Sequence, residues 1–116
     1  MVKLKKYFPQ RGDIVWLNFS PQTGHEQAGK RPAVCISPKE YNKKVGLAIF
    51  CPITSQVKGY PFEVILPKDC PVKGVILSDQ VKNLDWSDRN VEFICTLPED
   101  KLVEVLYKLE ALIRRG

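Results

Sequence analysis

The chain has 116 residues, room for one domain (1–116) with one modest core and little else. It carries 18 Lys+Arg against 13 Asp+Glu, a net charge of +5, with 44% apolar and 27% charged residues, the balance of an ordinary soluble globular protein. No run approaches the ~18 apolar residues of a transmembrane helix, and the N-terminal MVKLKKYFPQRGD lacks the apolar segment of a secretory signal. The expectation is a cytoplasmic protein with no membrane role.

In chain order, Asp13-Ile14-Val15-Trp16-Leu17-Asn18-Phe19 is rich in β-branched and aromatic residues and predicts a strand. A long polar connection follows, Ser20 to Pro32, and its length in so small a chain makes it a functional candidate. Ala33–Ser37 predicts a second strand, 38–45 a short helix or turn, and Gly46–Ile53 a third strand buried on both faces, because its apolar run is nearly continuous. A second polar loop, Thr54–Pro61, precedes short strands at Phe62–Leu66, Gly74–Leu77 and Val91–Cys95. Strands this short, punctuated by Gly and Pro, predict a small antiparallel barrel or sandwich. The period then changes. Leu102, Val105, Leu106, Leu109, Leu112 and Ile113 recur at helical spacing, a stripe that should cover the barrel. Thr96-Leu97-Pro98-Glu99 has the pattern of a capping box, and Arg114 and Arg115 suit the helix C-terminus.

Residues 1–75 hold 12 basic and 5 acidic side chains, and residues 76–116 hold 6 and 8. That asymmetry suits a polyanion, whether RNA, DNA or an acidic protein segment, though a modest positive charge also serves solubility alone. Cys35, Cys51, Cys70 and Cys95 show neither CxxC nor zinc spacing, and His25 is the single histidine. Four reduced, structural cysteines and no metal site are expected.

The groups able to do chemistry sit in the two polar loops. Arg31 enters a buried strand, and its guanidinium can grip a phosphate through two parallel hydrogen bonds. A plain salt bridge with Glu26 is the alternative reading. Thr54-Ser55-Gln56 leave another buried strand, where a turn held by side-chain to backbone hydrogen bonds is the competing explanation. If the two strands are antiparallel neighbours, Arg31 and Thr54 meet at one edge of the sheet.

Gly12-Asp13-Ile14-Val15-Trp16, Glu26-Gln27-Ala28-Gly29-Lys30-Arg31-Pro32-Ala33-Val34, Pro52-Ile53-Thr54-Ser55-Gln56, Lys58-Gly59-Tyr60-Pro61-Phe62-Glu63-Val64 and Gly74-Val75-Ile76-Leu77-Ser78-Asp79-Gln80-Val81-Lys82 continue in order along nearly the whole chain. Together they resemble the MazF/PemK-type mRNA interferases, the toxins of bacterial toxin–antitoxin pairs. The resemblance implies a mainly β fold with a C-terminal helix, an SH3-like small barrel, acting as a homodimeric endoribonuclease restrained by an acidic MazE-like antitoxin. It implies catalytic roles for Arg31 and Thr54, with Glu26 as the loop carboxylate. It also puts Gln80 and Lys82 beside the RNA path. Lys30 and Ser55 depart from residues common in the family, which bears on the cleavage sequence.

The chemistry expected of these groups needs no metal or other cofactor, because RNA supplies its own nucleophile, the 2′-hydroxyl. Glu26 is the best available base, with His25 a rival of near-neutral pKa. Asn18, Gln27, Gln56 and Gln80 offer donors and acceptors for base edges, and Lys30 and Lys58 offer charge to phosphates; single-stranded mRNA is the expected substrate. Two other classes remain open to the sequence: a non-enzymatic toxin like the gyrase poison CcdB, and a barrel that binds RNA without cutting it.

Overall fold

The computed structural model describes residues 6–19 and 29–114. Its strands are β1 (Asp13–Asn18), β2 (Lys30–Cys35), β3 (Ala48–Thr54), β4 (Glu63–Ile65), β5 (Val75–Leu77), β6 (Lys82–Leu84) and β7 (Glu92–Thr96). They form one antiparallel sheet in the order β4-β5-β3-β2-β1-β7, with β6 also on β3. Among the described residues, two helices, α1 (Lys39–Val45) and α2 (Glu99–Arg114), and a short 3-10 turn at Trp86–Arg89 accompany the sheet. Among the described residues no helix is long and apolar enough to cross a membrane.

β3 is the axis of the structure. One of its sides lies against β2, and its other side is shared, with Ala48 to Phe50 paired to β6 and Ile53 and Thr54 paired to β5. Its apolar run is buried on both faces, as the sequence predicts, because the sheet carries a core on each side. Cys51 and Ile53 join Ile14, Val34, Val64 and Ile76 under α2, while Ala48 and Phe50 join Val15, Leu17, Ala33 and Trp86.

Three details differ from expectation. β2 begins at Lys30, not Ala33, since Pro32 is accommodated opposite Trp16. β6 and the 3-10 turn have no apolar signature, which hid them. The capping box does not form: Thr96 belongs to β7, paired with Asp13, and α2 instead opens on the Pro98 carbonyl, which accepts from the Leu102 amide at 3.0 Å. The apolar stripe of α2 is likewise only half used. Leu102 and Val105 are buried, but Leu112 and Ile113 are exposed, because the helix runs on past the core. All four cysteines are free. Burial pushes the Cys51 thiol up to about 12, with the Asp79 charge adding to it, so this sulfur is no nucleophile at neutral pH.

Candidate active site

The β2–β3 ladder pairs Val34 with Cys51 and ends at Ala33 with Pro52. Pro32 and Pro52 lack amide hydrogens, and they fall where the ladder stops. Continuing the register by two residues sets Arg31 opposite Thr54, and directly opposed residues share a face of the sheet. The strand partners of these two residues lie on their outer sides, Leu17 of β1 for Arg31 and Val75 of β5 for Thr54. Arg31 and Thr54 extend the row of Ala33 and Pro52, where the core gives out. Arg31 is exposed and Thr54 half-buried. Lys82, paired with Phe50, lies on the same face, its Nζ 6.0 Å from the centre of the Phe19 ring.

Thr54 Oγ1 accepts the backbone N–H of Gln56 at 3.2 Å, the side-chain to backbone turn that competes with a catalytic reading. The two readings are compatible. The bond uses the oxygen as acceptor and leaves the hydroxyl proton available to a ligand. Thr54 is also fixed from beneath. A Cβ on Gly74 would stand 2.0 Å from the Thr54 carbonyl oxygen, and Gly74 holds a φ of +121° that side chains rarely adopt.

Beyond Thr54 the chain lines a pocket of about 160 Å³ with Gln56, Lys58, Tyr60, Phe62, Glu63, Leu77 and Gln80. Three of the expected RNA-binding residues, Gln56, Lys58 and Gln80, are thus gathered with Thr54, and Ser55 is exposed beside them. Tyr60 and Phe62, not singled out as site residues from the sequence, have ring centres 5.2 Å apart, with Tyr60 half exposed. Exposed rings beside amide side chains are the usual means of holding unpaired bases. The aromatic loop residues were the available signal.

Not everything converges. Lys30 is one residue from Arg31 and therefore on the opposite face, where its Nζ pairs with Glu92 at 3.1 Å. Asn18, its cross-strand partner, is buried on that side, and its Oδ1 has no hydrogen-bond partner among the described residues. The mouth of the first loop is anchored by Arg89, which donates to the carbonyls of Asn18 at 3.1 Å and Phe19 at 2.7 Å. Glu26, Gln27 and His25 lie outside the described residues. Among the described residues no three His, Cys, Asp or Glu side chains stand together as metal ligands.

Residues 10–113 match the family of PemK-like, MazF-like toxins of type II toxin–antitoxin systems. The chain is 43% identical over 110 residues to the endoribonuclease toxin MazF of Escherichia coli K12, covering 95% of this chain and 98% of that protein. Its fold is similar to that of a Deinococcus radiodurans MazF, with a TM-score of 0.85 and 51% identity over 93% of this chain and 98% of the other. A D. radiodurans MazE–MazF structure matches with a TM-score of 0.84 and 45% identity, covering 94% of this chain and 98% of that one.

Proposed function

The chain belongs to the PemK-like, MazF-like toxins of type II toxin–antitoxin systems and is an endoribonuclease, and we propose that it cuts single-stranded messenger RNA in the cytoplasm, at chosen sequences, without a metal ion. The observation that carries this reading is the shared face of Arg31 and Thr54 at the open end of the β2–β3 ladder, beside a pocket suited to bases.

The 2′-oxygen attacks the adjacent phosphorus in line, and the bond from phosphorus to the 5′-oxygen breaks. The products are a 2′,3′-cyclic phosphate and a 5′-hydroxyl. Arg31 binds the non-bridging oxygens and neutralises the charge that builds on them, while the Thr54 hydroxyl, its acceptor side already engaged by Gln56, donates to the same group. Glu26 takes the proton from the 2′-hydroxyl, and the departing 5′-oxygen takes one from water. Arginine keeps its proton far above neutral pH, so it serves as charge and donor and not as base. Lys58 and Lys82 hold flanking phosphates; Gln56, Gln80 and the Tyr60 ring hold bases. Pairing in a duplex would hide those base edges, which restricts the substrate to single strands. The protein works as a homodimer, and an acidic MazE-like antitoxin silences it by laying carboxylates along the basic face near Arg31.

The test is to incubate the purified protein with a long single-stranded RNA in excess EDTA and identify the new ends. Cyclic phosphate and 5′-hydroxyl ends support the mechanism, and an all-DNA analogue should stay intact. Cleavage lost on chelation and restored by magnesium overturns it, and RNA bound but uncut leaves only a binding barrel.

A further inference from the structure

We propose that Glu63 is a positioning residue that determines which bases the protein accepts at its cleavage site, an inference that rests on the ribonuclease reading and concerns the same pocket. Glu63 opens the edge strand β4 and is only 7% exposed. Its carboxylate takes two consecutive backbone amides, Lys58 N–H on Oε2 at 3.2 Å and Gly59 N–H on Oε1 at 3.0 Å. Gly59 has a φ of +82°, a left-handed turn that aims successive amides at one anion. The backbone of Glu63 is engaged as well. Its N–H donates to the Tyr60 carbonyl at 3.1 Å, and its own carbonyl accepts from Lys108 Nζ of α2 at 2.8 Å. One buried residue thus fixes the turn from both its side chain and its main chain.

That turn carries the ligand-facing groups. Lys58 and Tyr60 flank Gly59, and Gln56 lies just before, all on the wall of the pocket that Glu63 also lines. Gln80 reaches the same pocket from another segment, just after Ser78, whose Oγ donates to the Phe62 carbonyl. The Gln56 and Gln80 amides and the Tyr60 ring in this lining suit a base edge and face, while Lys58 is left to the phosphate beside it. Reading a base edge requires donors and acceptors held in a fixed frame. Thr54 does not depend on this clamp, since β3 and Gly74 hold it from the other end of the loop. Catalysis and base choice are therefore supported by different contacts.

A carboxylate offers two acceptors and no donor, whereas a glutamine amide sets an NH₂ against one of the two N–H groups. Glu63→Gln should keep the volume and charge-independent packing while releasing one side of the turn. The experiment digests a random-sequence RNA pool with wild type and E63Q, sequences the cut sites, and records the melting of both proteins. Expected is a folded variant that yields the same chemical ends but discriminates less between preferred and near-preferred sequences, on the order of tenfold at one or two positions. A merely structural role would lower the melting temperature and total activity and leave the pattern of preferred sequences unchanged; that result, in a folded variant, overturns the inference. Should E63Q fail to fold, Gly59→Ala strains the same turn with nothing within 4 Å for its methyl group to strike, and must change preference at the same positions. Failure of the wild type to cut at all would instead overturn the nuclease reading, and a wild type that cuts without preference would overturn this inference, and with it the cleavage at chosen sequences, while leaving the nuclease chemistry standing.

Discussion

The two ends of β3 use polar side chains in opposite ways. At its entry, Asn42 and Ser37 are buried and spend their capacity inside the protein: Ser37 Oγ donates to Asn42 Oδ1 and accepts the Ile49 amide at 2.8 Å, and Asn42 Nδ2 donates to the Pro9 carbonyl at 2.8 Å. The Trp86 indole closes the knot on the Asn42 carbonyl at 3.2 Å. At its exit, Thr54 accepts one bond from Gln56 and keeps its proton, while Arg31 is exposed opposite. The lesson is one of spare capacity. Polar groups whose bonds are used up internally hold the fold, and those left with donors on a rigid strand end are available to a ligand.

The sharpest way to break this comparison is to truncate one end and look for the effect of the other. Arg31→Ala and Thr54→Ala should each lower cleavage of a fluorescent RNA–DNA chimera by about 10²–10³-fold, with a melting temperature near that of the wild type. A folded variant retaining wild-type turnover would remove that residue from the site. At the entry, Asn42→Ala leaves Ser37 and the Pro9 carbonyl without their partner. It should cost about 3 kcal/mol of stability in urea titration, with cleavage per folded molecule unchanged. A loss of turnover without loss of stability would show that the entry knot also serves the site.

The smallest effect separates two lysines. Lys58 lines the pocket, whereas Lys30 faces the other side of the sheet and pairs with Glu92. Lys58→Ala should raise KM several-fold and flatten the salt dependence of RNA binding. Lys30→Ala should change stability by less than about 1 kcal/mol, as for an exposed pair, and KM less than Lys58→Ala does. Equal effects on KM would mean that RNA wraps both faces.

Much of this protein could be read from one dimension. The strand-forming runs at 13–19 and 46–53, the amphipathic end of the chain and the antiparallel pairing of β2 with β3 follow from side-chain periodicity and from the short connection between those two strands. The ordered match to a toxin family adds the reaction. What failed were features without a local signature. β6 reads Lys-Asn-Leu, and it is a strand only because β3 offers an unpaired edge there. Thr96 has the right spacing for a helix cap, yet the sheet claims it first through Asp13. Lys30 looks like a companion of Arg31 by proximity, but the two-residue alternation of a strand sends adjacent side chains to opposite faces.

The sequence by itself determined the long strands and the C-terminal helix, that the chain is basic in its first two-thirds, and which loop residues have side chains able to meet phosphates and bases. Only the tertiary structure decided how those loop residues are held. Gly74 meets Thr54, and Glu63 meets Lys58 and Gly59, through close contacts and charge-assisted hydrogen bonds whose value depends on ångström separation across the fold. Such contacts leave no periodic trace in the chain, because they are set by where the strands stop and not by what repeats along them.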